Sequence, residues 1–207
     1  MARRSMRLAK NLRQIADQYR ANYLDSNDSK DRTKIDTDWQ SMQRSPGDAL
    51  GGSYLAVHFR RQDFVRYKSN RVPDLDCAIQ QIHFFASNAF DLHFERIYIA
   101  TDTDSAEWIQ LKSRLEQKKH RVFNFETDFL SNSGLHPGEV AIIDQWICAH
   151  ARVFIGTLDS NFSNQIQEER EILGFATNTT FNALCPQCDL RLMLKICKQE
   201  STWKIVY

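Results

Sequence analysis

The chain has 207 residues, with 27 Lys plus Arg against 26 Asp plus Glu and a net charge of +1. That length fills one sizeable domain and is marginal for two, and so even a charge balance argues against a general nucleic-acid binder. No apolar run approaches membrane-spanning length, and the basic start Met1-Ala-Arg-Arg-Ser-Met-Arg-Leu-Ala-Lys10 is followed by no apolar signal-peptide core.

Leu8, Leu12, Ile15, Tyr19 and Tyr23 recur at helical spacing and predict an amphipathic helix over 5–24. Residues 25–53 are rich in Asp, Ser, Asn and Lys and read as a loop, with one short helix around Trp39. Tyr54-Leu-Ala-Val-His-Phe59 is a short, nearly continuous apolar run, which suits a strand buried on both faces. Arg60, Arg61 and Asp63 follow it with no spacer, and Gln62 to Arg71 reads as a polar loop.

Pro73-Asp74 opens a helix whose apolar face is Leu75, Ala78, Ile79, Ile82, Phe85 and Ala86. Arg96-Ile-Tyr-Ile-Ala-Thr101 is a second strand, and Ser105 is the expected N-cap of a helix through Lys118. Arg121 to Phe125 is a third strand. A helix carrying Val140, Ile143, Trp146 and Ile147 on one face follows the loop from Glu126 to Pro137. Val153-Phe-Ile-Gly156 is a fourth strand, after which Thr157 to Ser163 turns into a helix ending at Gly174. Trp203 to Tyr207 reads as an edge strand. Four strands alternating with helices make an α/β fold with a parallel sheet and right-handed crossovers.

Three strand ends carry polar groups: His58 to Asp63, Thr101 to Asp104, and Thr157 to Ser163. In open α/β sheets those ends border the ligand crevice. Side chains alternate along a strand, so only one of the two arginines shares the face of His58; that one is Arg60, a guanidinium suited to a diphosphate. Backbone amides at the helix start, with Ser160 and Ser163, could hold a phosphate, although simple N-capping uses the same residues. Asp144, in a helix among Ile142, Ile143, Gln145 and Trp146, could accept the paired N–H groups of guanine, or be an exposed helical Asp. Glu168-Glu-Arg-Glu171 reads as a solvated helix face with weak local ion pairs. Cys77 and Cys148 lie in apolar helical patterns as buried free thiols. Cys185-Pro-Gln-Cys188 has zinc-knuckle spacing, a weak metal signal when single; a disulfide is the alternative. Asn27, Asn161 and Asn178 head glycosylation sequons.

Three blocks then resemble one family. His58-Phe-Arg-Arg-Gln-Asp-Phe64, Ala141-Ile-Ile-Asp-Gln-Trp-Ile-Cys-Ala-His-Ala-Arg152 and Gln167-Glu-Glu-Arg-Glu-Ile-Leu-Gly174 are similar to the GDP-fucose protein O-fucosyltransferase 2 family. The resemblance runs over nearly the whole chain. It implies the carboxyl-terminal, nucleotide-binding half of a GT-B glycosyltransferase, with a Rossmann-like parallel sheet and helices on both faces. Residues 1–53 would then pack on or lead into a donor-binding core at 54–174, followed by a cysteine-containing tail at 175–207.

By that resemblance the partners are GDP-fucose as donor substrate and a folded thrombospondin type 1 repeat as acceptor. Fucose passes to its Ser or Thr with inversion, in the lumen of the endoplasmic reticulum. Donor-binding positions map to His58, Arg60, Asp144, Ser160, Asn161 and Phe162, with Arg60 stabilising the leaving group. No cofactor and no metal are implied, and Asp102-Thr-Asp104 is not read as a metal motif. Cys185 and Cys197 align as a disulfide, leaving Cys188 as extra or competing. Asn161 departs from the family's Thr and places a sequon in the donor loop. The family's catalytic base lies outside this chain. A fragment is therefore expected rather than its alternative, a non-catalytic GDP-sugar-binding or interaction remnant.

Overall fold

The computed structural model describes residues 7–35, 44–88, 92–126, 134–188 and 197–198. Its described elements are α1 (Lys10–Tyr23), α2 (Asp28–Asp31), β1 (Gly52–Phe59), α3 (Gln62–Tyr67), a 3-10 turn (Ser69–Arg71), α4 (Leu75–Ser87), β2 (Arg96–Thr101), α5 (Ser105–Gln117), β3 (Arg121–Phe123), α6 (Pro137–Ala149), β4 (Ala151–Gly156), α7 (Asn161–Leu173), α8 (Thr177–Thr180), β5 (Asn182–Ala183) and β6 (Cys197–Lys198). They form one sheet of order β3-β2-β1-β4-β5-β6. All pairings are parallel except β5 with β6.

Alternation along the strands divides the core in two. Leu55, Val57, Phe59, Ile97, Ile99, Val153 and Ile155 pack against Ala78, Ile79, Ile82 and Phe85 of α4 and against Trp108, Leu111 and Leu115 of α5. Tyr54, Ala56, Tyr98, Ala100 and Phe154 face Leu12, Ala16 and Tyr19 of α1, Val140, Ile143 and Ile147 of α6, and Ile166 of α7. Each buried Val, Leu, Ile or Phe among them stabilises the fold by about 1.5–3 kcal/mol. The amino-terminal helix is thus a full member of one layer. Strand order reverses between the parallel neighbours β1 and β4, so the crevice belongs at their carboxyl ends.

Several expectations shift. The polar stretch after β1 is helical, as α3 and the 3-10 turn. Asp104, one residue before Ser105, caps α5 by accepting the Glu107 N–H at 2.8 Å. Two short strands, β5 and β6, extend the sheet beyond the expected four. The expected helix around Trp39 and the edge strand at Trp203 to Tyr207 lie outside the described residues. Gly174 ends α7 with φ +86°, a conformation that glycine adopts without a steric cost.

The stretch Glu168–Glu171 is not a solvated face. Glu168 and Glu169 are buried and Arg170 is fully enclosed. The Arg170 guanidinium donates to the carbonyls of Ala149 at 3.1 Å, Ala151 at 2.6 Å and Thr179 at 3.1 Å, and stacks 3.8 Å from the Phe175 ring. Burial pulls it down to about 9, yet it still carries its charge at neutral pH. Those carbonyls come from segments that sequence spacing does not bring beside α7.

Cysteine pairing departs from expectation at Cys77 and Cys188, while the Cys185–Cys197 pair and the free Cys148 are as expected. Cys77 is not a free thiol: it is bonded to Cys188, across 111 residues. Cys185 is bonded to Cys197, which leaves Cys148 as a buried free thiol. The Gln81 amide accepts the Cys185 N–H at 2.7 Å and donates to its carbonyl at 2.9 Å, seating the tail against α4 independently of either bond.

Candidate functional site: a cleft at the reversal of the sheet

A cleft of about 520 Å³ opens at the carboxyl ends of β1 and β2, lined in part by His58, Arg60, Asp102, Glu126, Asp144 and Phe162. A second one of about 340 Å³ adjoins it, bordered by Arg60, Phe64, Lys68, Asp159, Ser160, Asn161 and Phe162. Arg60 and Phe162 are walls of both. His58, Arg60, Asp144, Ser160, Asn161 and Phe162 are therefore neighbours around one continuous depression.

The floor is cross-braced by hydroxyls. Thr157 Oγ1 donates to the His58 carbonyl at 2.8 Å and accepts the Arg60 N–H at 3.1 Å. Ser163 Oγ lies 2.8 Å from His58 Nδ1 and accepts the Thr157 N–H at 3.0 Å. Ser163 is spent inward on this brace, so it is no phosphate ligand as the sequence had suggested. Gly156 permits the close approach: a Cβ there would sit 2.8 Å from Ser163 Oγ. Burial, aided by the nearby Arg60 charge, drives His58 down to about 3, so its ring is neutral. Phe162 stacks on it, with centroids 4.3 Å apart.

The two arginines divide as side-chain alternation requires. Arg61 turns away, donating to Glu107 through Nε at 3.0 Å and Nη2 at 2.5 Å and to the Pro73 carbonyl at 2.8 Å. Its side chain is only 12% exposed and its role is structural. Arg60 is 34% exposed and faces the cleft, with Nη1 2.6 Å from Asp102 and Nη2 2.7 Å from Asp63. Such half-exposed pairs are weak, and an entering diphosphate would compete for that guanidinium with higher charge density.

The α7 amino terminus supplies a second anion-attracting feature. Ser160 occupies the cap position with its side chain making no cap bond, and the first helical N–H groups point out of the helix. Together with the macrodipole they favour negative charge at Ser160 to Phe162. Lys68 borders the same hollow.

Asp144 is buried, not an exposed helical residue. The Tyr98 hydroxyl donates a short hydrogen bond to its Oδ1. Burial pushes Asp144 up to about 7, the Tyr98 bond opposes this, and the Glu126 charge adds to it. Tyr98 and Glu126 went unnoticed as site residues in the sequence, and Thr157 was read only as the start of a polar strand end. A signal for Tyr98 was present, since a tyrosine amid Ile97, Ile99 and Ala100 must find a partner for its hydroxyl. Asp102 and Asp104 are accounted for without a metal: Asp102 Oδ1 accepts the Arg61 N–H at 2.6 Å, and Asp104 caps α5. Among the described residues no group of three or more His, Cys, Asp or Glu side chains converges as a metal site.

Comparison with known proteins bears on the family and the fold. A family model described as GDP-fucose protein O-fucosyltransferase matches residues 1–173. GDP-fucose protein O-fucosyltransferase 2 of Homo sapiens is 41% identical over 205 residues, which cover 99% of this chain and 45% of that protein. Its namesake in Caenorhabditis elegans is 40% identical over 206 residues, covering 100% and 45%. The Drosophila melanogaster protein is 35% identical over 206 residues, covering 100% and 40%. The chain thus spans less than half the length of these curated relatives. A crystal structure of POFUT1 in complex with GDP-fucose superposes with a TM-score of 0.53 at 15% identity, over 84% of this chain and 47% of that one. One of POFUT1 with GDP gives 0.52 over 84% and 48%. At such identity the likeness is one of fold, that of about half of a GT-B glycosyltransferase.

Proposed function

The chain belongs to the GDP-fucose protein O-fucosyltransferase family, and we propose that it is the donor-binding half of a peptide O-fucosyltransferase, holding GDP-fucose in the cleft at the sheet reversal. The observation that carries this is the placement of Arg60 between two recognition surfaces. On one side stands a buried carboxylate, Asp144, suited to the paired N–H groups of guanine. On the other stands the uncapped start of α7, suited to phosphate. A nucleoside diphosphate has its base and its charge at opposite ends, and this depression offers matching chemistry at matching ends.

In this reading Arg60 stabilises the diphosphate as negative charge grows on it during departure from the sugar. His58 and Phe162 form an apolar, neutral wall, and Ser160 and Asn161 flank the phosphates. The acceptor is a Ser or Thr hydroxyl on a thrombospondin type 1 repeat, attacking with inversion. A positioned base must take its proton. Of the three carboxylates that line the cleft, Asp102 is engaged by Arg60 and Arg61 and Asp144 by Tyr98, and the third is Glu126, to which we give no role in the transfer. We assign the base to a part of the relatives that this chain does not span. The two disulfides suit an oxidising compartment, and the endoplasmic reticulum lumen is the location proposed.

The experiment is a calorimetric titration of GDP and of ADP into the wild type and Arg60→Ala. Binding of GDP in preference to ADP, weakened at least about tenfold in the variant, is expected from loss of a charge-assisted bidentate contact. A wild-type protein that binds neither nucleotide overturns the reading.

A further inference from the structure

The Tyr98 hydroxyl lies behind the cleft residue Asp144, and the nucleotide-binding reading leaves it without a duty. Tyr98 lies in the middle of β2 with no exposed surface, its ring edge-on to Tyr19 with centroids 5.9 Å apart. A phenol so enclosed has little choice of rotamer, and its hydroxyl meets Asp144 Oδ1. Asp144 in turn lines the cleft. We infer that Tyr98 is the positioning residue of the base subsite: by donating to Oδ1 of Asp144 it fixes the carboxylate in the orientation in which its two oxygens take the paired N–H groups of a guanine edge. This rests on the nucleotide-binding reading above.

Position and charge are linked here. An ionised carboxylate only accepts, and with one lone pair of Oδ1 taken by Tyr98 its two oxygens still offer one each to two donors side by side. Once protonated, Oδ2 becomes a donor. A donor there repels the guanine N–H groups and suits the ring nitrogen that adenine presents instead. Guanine selectivity therefore needs the anion, and the surroundings of Asp144 mostly oppose it. Burial raises its pKa and so does Glu126, from the segment after β3. Cys148, one turn along α6, is held as a neutral thiol. His58, from β1, is neutral. Tyr19, from α1, is a phenol against Tyr98, and Arg60, on the cleft wall, is paired to Asp102 and Asp63. The Tyr98 bond is what favours ionisation of Asp144. Its own proton is secure, because burial and the neighbouring Asp144 charge both resist phenolate formation. Tyr98 is thus a fixed donor, aiming the carboxylate and keeping it charged.

The test is a set of GDP and ADP titrations of the wild type, Tyr98→Phe and Glu126→Gln from about pH 6 to about pH 8.5, with the Asp144 carboxyl carbon followed by NMR in the nucleotide-free protein. In the wild type the GDP-over-ADP ratio should fall as pH drops through about 7. In Tyr98→Phe the carboxyl titration and the loss of GDP selectivity should both move up by about one pH unit. GDP affinity should then be about fivefold weaker near neutrality and recover at high pH. Glu126→Gln, an exposed change that leaves the core intact, should move both curves down. An unchanged carboxyl titration in both variants overturns the inference. So does a loss in Tyr98→Phe that is equal for GDP and ADP at every pH, the mark of a merely structural role. Failure of the nucleotide reading itself shows separately, as a wild type that binds neither nucleotide at any pH, and it removes the base-subsite inference with it.

Discussion

Ser163 Oγ and His58 Nδ1 lie 2.8 Å apart although 105 residues separate them in the chain. The same oxygen accepts the Thr157 N–H at 3.0 Å, so one hydroxyl locks the start of α7 onto the ends of β1 and β4. Ser163→Ala leaves a buried amide and a buried imidazole nitrogen short of partners. Each such orphan costs about 1–3 kcal/mol, and the substitution should lower stability by about 2–4 kcal/mol in urea denaturation. GDP affinity should fall with it, because the Phe162–His58 stack is held by that brace.

Arg60 and Arg61 should separate cleanly by mutation. Arg61 is held in a bidentate pair with Glu107 and by the Pro73 carbonyl. Truncating one partner of a largely enclosed pair costs more than the pair's net worth, since the other charge is stranded. Arg61→Ala should lose about 2–4 kcal/mol of stability, and Arg61→Lys should rescue only part of it because an ammonium cannot match the fork. Arg60→Ala should change the urea midpoint little, as its pairs are half exposed.

Most of the architecture was legible in the sequence for local reasons. Apolar runs of period two and period 3.6 mark β1, β2, β4 and α4 to α7 because their faces are buried against a sheet. Parity along β1 was enough to set Arg60 apart from Arg61. What stayed hidden depends on long-range contact. Glu168 to Arg170 has the composition of a solvent face, and only the carbonyls at 149–151 and 179 reveal why a charge is buried there. Cys77 sits in a plain apolar helix pattern, and nothing local announces Cys188. Asp144 reads as exposed until Tyr98, 46 residues away, is seen to donate to it.

Acid stability should carry the signatures of three buried groups. His58 is depressed to about 3 and His150 well below its usual value, both mainly by burial. A buried neutral histidine gains its proton only on unfolding, so this stability is present above about pH 6.5 and is lost as pH falls below it. Asp144 acts in the opposite sense. Raised to about 7, it favours the fold below about pH 4 and loses that contribution as pH rises to about 7. Between about pH 4 and 6.5 unfolding binds two protons at the histidines and releases one at Asp144. The expected slope from these groups is about 1.4 kcal/mol per pH unit. Asp144→Asn removes the offset and should about double the slope, while stabilising the protein above pH 7 by on the order of 4 kcal/mol. Urea midpoints across pH provide the measurement.

Asn161 begins both α7 and the sequon Asn161-Phe-Ser163. Its side chain is exposed beside the hollow that Arg60 and Lys68 border, where a glycan would fill the phosphate end of the cleft. Ser163 is also committed to His58 and Thr157, so the sequon's hydroxyl is not free in the folded chain. Mass spectrometry of protein passed through a secretory pathway should find Asn161 unmodified. Occupancy there would contradict the placement of the donor's phosphates at α7.

The two disulfides should differ in their effect on stability. Cys77–Cys188 closes a separation of 111 residues, whereas Cys185–Cys197 closes 12. Restricting the unfolded chain is worth about 4–5 kcal/mol for the longer loop and about 3 kcal/mol for the shorter. Gln81 continues to hold the Cys185 backbone at both its N–H and its carbonyl when either bond is removed, so the tail should stay docked and the difference should reflect mainly the unfolded state. Cys77→Ser/Cys188→Ser should therefore lower the urea-extrapolated stability by more than Cys185→Ser/Cys197→Ser, by about 1–2 kcal/mol. Equal losses would mean that the long bridge stabilises through local contacts with α4 and not by limiting the unfolded chain.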